Sequence, residues 1–367
     1  MSCALLLSLI LTQSPTAGAA GVATETEDAK LKGFDLSLTV FNSSGVYFRE
    51  GSYQNSITFW FEPSYAFGRR FLKGTWFEHL SVNLRIPMEV RLGDASSEYG
   101  GTTYAPQQND SSPVYNPDVA SVRPGGPTAN RFLLRDIFVQ LAHTHLFTIP
   151  GLGIDVMSSI RFGLPTSTLS QTQGFITSIG PGLIFERRFF DRLSLGYMVR
   201  PTKFFFSRTH GGIRAFDSTS TDWRPTSTPV ANADFMILNG VWAALDIAGG
   251  FGVSVNYFTF NTKPFANNGG CNPTGIYGVD LCADGAALGN IQGQWRNDHW
   301  FLASLDYHRS FWSLSLGLST YRPMLNDGGK PSQPFFDSSG NNFTSIYLSF
   351  SASAEGLAGF AVGGNKQ

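Results

Sequence analysis

Residues 80–91 read LSVNLRIPMEVR. Leu80, Val82, Leu84, Ile86, Met88 and Val90 fall on one face of this stretch, and Ser81, Asn83, Arg85, Glu89 and Arg91 fall on the other. A strand sends successive side chains to opposite faces, so this period of two specifies a β-strand with one apolar and one polar face. The pattern recurs downstream. Ile154, Val156, Ile160, Phe162 and Leu164 oppose Asp155, Ser159, Arg161 and Gly163, and Trp312, Leu314, Leu316 and Leu318 oppose Ser313, Ser315, Gly317 and Ser319.

Applied along the chain, the same reading predicts twelve strands near 34–42, 54–67, 76–91, 131–149, 153–165, 174–187, 191–207, 233–247, 251–263, 297–309, 311–322 and 342–353. Each is about the length a tilted strand needs to cross a bilayer. The connections alternate in length. Long polar segments run at 43–53, 92–130, 166–173, 208–232, 264–296 and 323–341, and short turns at 68–75, 150–152, 188–190, 248–250 and around Ser310. Nothing in a soluble sandwich sorts connections by parity. Aromatic and basic residues crowd the short turns: Arg69-Arg70-Phe71, Trp76-Phe77, Phe147, Phe189-Phe190, Phe251 and Phe311-Trp312. Such residues settle at membrane–water interfaces.

Composition points the same way. Charged residues make up 14% of the 367 residues, against roughly 25% in a soluble domain. The net charge of −1 gives no electrostatic footing for nucleic acid. The apolar run Ala4–Leu11 is too short for a membrane helix, and the small residues Ala17-Gly18-Ala19-Ala20 follow it. Residues 1–23 therefore read as a secretory signal cut somewhere between 19 and 23. Beyond it no apolar stretch of 18 residues occurs, so any membrane passage rests on strands.

Together these features resemble the bacterial outer-membrane β-barrel class over nearly the whole mature chain. The resemblance implies an all-β, antiparallel up-and-down transmembrane barrel of about twelve strands over residues 34–353, with long extracellular loops, short periplasmic turns and both termini in the periplasm. It also implies outer-membrane lipid and the outer-membrane assembly machinery as partners. Residues 354–367 form a short tail. The last strand departs from the class in that Phe350 is followed by 17 residues.

Charge on the lipid face of a barrel costs roughly 2–4 kcal/mol at the midplane, so charged strand residues are expected to face the lumen. That places Glu62, Arg85, Glu89, Arg91, Asp136, Arg161 and Arg200 at middle and upper levels, and Asp155, Glu186, Asp246 and Asp306 nearer the periplasm. They line either a narrow pore for small polar solutes, with a slightly basic, weakly anion-preferring waist above an acidic vestibule, or a closed lumen filled by ion pairs. In the closed case the loops would contact ligands or partners. Cys271 and Cys282 stand ten residues apart in an exported loop and are expected to form a disulfide.

Catalytic signals are sparse. The chain has no G-x-S-x-G elbow and no His-x-Ser-x-Gly pattern. Asp306 and His308 share a face, but no nucleophile accompanies them. His143-x-His145 lacks the third ligand of a zinc site, and His143 is in phase with the outer face. The expectation is a non-enzyme without metal or cofactor.

Overall fold

The structure, a computed structural model, describes residues 34–45, 55–67, 75–92, 131–207, 209–217, 222–265, 295–309, 311–324, 332–333, 335 and 344–354. The signal segment 1–23, the pair Cys271 and Cys282, and all of the tail after Ala354 lie outside the described residues.

Among the described residues fifteen strands follow one another: β1 Phe34–Gly45, β2 Asn55–Ala66, β3 Leu80–Leu92, β4 Arg131–Leu134, β5 Ile137–Ile149, β6 Ile154–Leu164, β7 Phe175–Phe189, β8 Leu193–Phe206, β9 His210–Asp217, β10 Asp222–Ala231, β11 Ala233–Ala248, β12 Phe251–Pro264, β13 Arg296–His308, β14 Trp312–Pro323 and β15 Thr344–Ser353. β4 prolongs β5 at its upper end. Counting that pair as one, twelve antiparallel strands each pair with two neighbours, and β1 pairs with both β2 and β15. The sheet thus closes on itself as a barrel.

Register shows why the sequence closes this way. Leu305 on β13 stands across from Leu316 on β14, which stands across from Leu348 on β15, and all three point outward. One residue along, Ser304, Gly317 and Tyr347 form the corresponding row pointing into the lumen. A slip of one residue would exchange the two rows, so the alternation fixes the pairing.

The short turns use backbone that few residues tolerate. Gly249 and Gly250 join β11 to β12 with φ of 64° and 88°. Phe190 and Asp191 take φ of 53° and 55° in the three-residue connection between β7 and β8, where Arg192 N donates to Phe189 O at 3.1 Å, and two successive left-handed residues give the twist of a type I′ turn. Phe190 is a poor residue for that conformation, and its ring is 91% exposed. A water-facing turn would favour Asn or Gly there, whereas a ring at this rim gains by sitting in an interface.

Four local expectations change. The strand predicted from residue 76 begins at Leu80, because Trp76–His79 forms a single 3-10 turn. The strand predicted over 131–149 is interrupted at Arg135-Asp136. Between the pairs Met88↔Leu134 and Arg85↔Phe138, β3 advances three residues and its partner four, which makes a bulge. The connection 166–173 contains a short helix, α1, Thr168–Gln173. The connection 208–232 contains the β9–β10 hairpin, a separate two-stranded sheet.

Candidate functional site

The lumen has two chemically distinct walls. On the side built by β2 to β8 it is charged. The strand register sets Glu62 beside Arg85, and the two form a buried ion pair. Arg85 also lies over the Trp60 ring, 5.2 Å from its centroid. Arg161 donates to Gln140 Oε1 from Nε at 3.0 Å and from Nη2 at 2.8 Å, and its guanidinium stands over Phe138. Arg200 donates to Ser159 Oγ at 3.2 Å. Arg85, Arg161, Arg200 and Glu62 lie within electrostatic range of one another.

The bulge adds a residue that alternation misses. It turns Arg135 and Asp136 both inward, so Arg135 Nε reaches Glu89 Oε2 at 2.7 Å. Strict period-two reading puts Arg135 on the lipid face. Asp136 holds a loop instead of facing open lumen. It accepts from Ser167 N at 2.9 Å and from the Ser170 hydroxyl, anchoring the start of α1. Replacing Asp136 with Ala is expected to leave those donors unmet and to cost about 1–3 kcal/mol. Limited proteolysis should then cut within 165–174 before the barrel unfolds. Arg91 belongs to β3 by its backbone, opposite Ser56, and its side chain lies outside the description.

The opposite wall, from β8 through β15 to β1, is apolar and aromatic where the sequence suggested nothing special. Phe41, Met198, Leu238, Trp242, Phe258, Phe260, Trp300, Leu302 and Tyr347 point inward as one buried cluster. Phe41 stacks on Tyr347 at 4.9 Å and on Trp60 at 6.2 Å. Trp300 donates to Ser319 Oγ at 2.7 Å. These rings form a layer at mid-height. Several lie flat on the wall because a neighbouring strand offers glycine. Trp242 covers Gly196, where an added Cβ would stand 2.0 Å from its ring atoms, and Tyr347 covers Gly317 at 2.7 Å.

Below the layer, towards the short turns, stand the remaining carboxylates. Asp155 accepts from Thr148 Oγ1 at 2.6 Å and stands across the strand pair from Glu186. Glu186 accepts from Ser194 at 2.7 Å, and Asp246 accepts from Arg188 at 3.3 Å. Asp306 accepts from Ser304 at 2.9 Å. Asp306 and His308 line one cavity together, and no ion pair joins them. The structure supplies a third imidazole beside His143 and His145: His79, with ring centroids 5.9 and 5.4 Å away. His143 is covered from outside by Trp76, stacked at 4.6 Å, whose carbonyl oxygen lies 2.7 Å from Nε2. Among the described residues no three His, Cys, Asp or Glu side chains are placed to hold a metal ion.

The outer face decides the setting. Leu38, Leu141, Leu183, Leu195, Val241, Val253, Leu305, Leu314, Leu316, Leu318, Ile346 and Leu348 are all exposed there, forming a continuous belt that water would not tolerate. Trp76, Phe77, Phe147, Phe190 and Phe251 are exposed at the short-turn rim beneath it, as an interfacial girdle requires. The chain is a β-barrel of the bacterial outer-membrane type.

No protein-family model and no curated protein matches the chain. Solved structures similar to the barrel include an outer membrane channel from Pseudomonas putida F1, at 8% identity and TM-score 0.45, covering 90% of this chain and 99% of that one. The NanC porin aligns at 9% identity and TM-score 0.38, covering 87% and 98%. The translocator domain of the autotransporter NalP from Neisseria meningitidis aligns at 7% and 0.39, covering 96% of each. At these values the likeness is one of general architecture, and the barrel's chemistry has to be read from its own side chains.

Proposed function

We propose that the barrel is a narrow, non-enzymatic outer-membrane channel for small polar solutes whose waist prefers anions. The observation that carries this reading is the bonding of Arg161 and Arg200. Their partners are the neutral Gln140 and Ser159, while Arg85 alone has a carboxylate, Glu62. The cluster sets three guanidiniums against one carboxylate. A buried cation with only neutral partners gains from an anion that comes within reach, and arginines lining a water-filled constriction favour anion passage. In this reading the short-turn rim faces the periplasm, lipid covers the apolar belt, and the assembly machinery inserts the chain.

The aromatic layer favours a second reading, a closed lumen whose loops do the binding. Leu238, Phe258 and Phe260 are fully buried in the lumen. Planar-bilayer recording separates the two. The channel reading expects discrete conductance with an anion-selective reversal potential in a salt gradient. Arg161→Gln with Arg200→Gln should shift the permeability ratio towards cations by about fivefold, the equivalent of about 1 kcal/mol of lost ion–charge attraction. Arg85→Gln should shift it the same way but less, because it removes one of the three cations where the double variant removes two. An unchanged reversal potential in the double variant would remove the waist model, and a silent wild type would favour the closed barrel.

A further inference from the structure

The lumen below the aromatic layer contains a cavity of about 120 Å³ that reaches to the short-turn rim. Phe41, Trp60, Trp242 and Tyr347 contribute to its wall, and hydroxyls such as Ser254, Ser304 and Ser315 contribute elsewhere. Asp306 is the ionisable group set within it: 8% exposed, bonded only to the Ser304 hydroxyl, and in no ion pair among the described residues. The other ionisable side chains of the wall are Asp246, already held by Arg188, together with His308 and Tyr347.

A buried carboxylate with one neutral donor keeps much of its desolvation cost until a cation meets it. A divalent metal is poorly served, since hard cations need about six oxygen ligands and this wall offers few charged ones. An anion is opposed by Asp306 and Asp246. An organic ammonium ion satisfies both parts of the wall, its charge against the carboxylate and its alkyl groups against the rings, which attract cations through their π faces. The volume is comparable to the roughly 150 Å³ cavity that accepts a benzene-sized ligand. We propose that this cavity is a binding site for a small organic ammonium ion, with Asp306 as the charge partner and Phe41, Trp60, Trp242 and Tyr347 as the apolar enclosure. The proposal does not depend on conduction, and it gives the two halves of the lumen opposite charge preferences.

The probe is choline, titrated into the full-length barrel in detergent and followed by calorimetry and tryptophan fluorescence. Its uncharged isostere 3,3-dimethylbutan-1-ol is titrated in parallel. Choline should bind at least tenfold more tightly than the isostere, and Asp306→Asn should weaken choline at least tenfold while leaving the isostere unchanged. The comparison on the unsubstituted protein stands even if Asp306→Asn fails to fold. Equal binding of choline and isostere, or no choline binding, would overturn the proposal. So would a folded Asp306→Asn variant with unchanged choline affinity.

Discussion

Arginine at position 316 is expected to destabilise the barrel in a bilayer by about 2–4 kcal/mol. Leu316 sits near the middle of β14, points outward between Leu305 and Leu348, and is 54% exposed. On a water-facing surface the same change would lie within about 0.5 kcal/mol of neutral. The sign of the environment, rather than the fold, therefore sets the result. Urea titrations of wild type and Leu316→Arg folded into lipid vesicles measure the difference. A shift below about 0.5 kcal/mol would mean that the belt does not meet hydrocarbon. A matched Leu348→Arg variant should behave alike, because it shares the row.

Gly196→Ala is the second large effect. The new methyl would stand 2.0 Å from two ring atoms of Trp242, a distance that forces the ring off the wall or the strand outward. Overpacking of this kind costs about 1–3 kcal/mol. The same assay should show that Gly196→Ala is milder in a Trp242→Leu background, with a coupling of about 0.5–3 kcal/mol between the sites. Strict additivity would show that the ring does not rest on Gly196. The displaced indole also intrudes on the cavity that Trp242 lines, so choline binding should weaken together with stability.

Much of the architecture was legible because one face of each clear strand is apolar and the other polar. In residues 80–91, where Arg85 and Glu89 alternate with Ile86 and Met88, period two is unmistakable, and the barrel places those charges inward. The reading weakens where both faces are apolar. On β12, Val253 and Val255 face out while Phe258 and Phe260 face in, and hydrophobicity alone does not distinguish them. The aromatic layer was therefore hidden although its residues were in plain view. The available signal was glycine on adjacent strands, Gly196 and Gly317, which makes room for rings that only register brings into contact. Arg135 was missed for another reason: one bulge reverses the phase, and no local residue type announces it. Of the charged set, Glu62 and Arg85 meet as a pair, and Arg161 and Arg200 join the same cluster. Asp136 is diverted to hold a loop helix.

The seam between β1 and β15 has a temporal meaning. Ser37↔Ser353 through Gly45↔Ser345 join the two ends of the described chain, and the Thr39 and Ser351 hydroxyls meet at 2.8 Å across 312 residues. Contacts between residues so far apart form late and slowly. Until they form, β1 and β15 each present an unpaired ladder able to recruit another chain. Of the described strands, the first made must wait for the last. Completion of the barrel is thus a single terminal event, and a chain shortened at either end strand would remain an open ribbon with two adhesive borders.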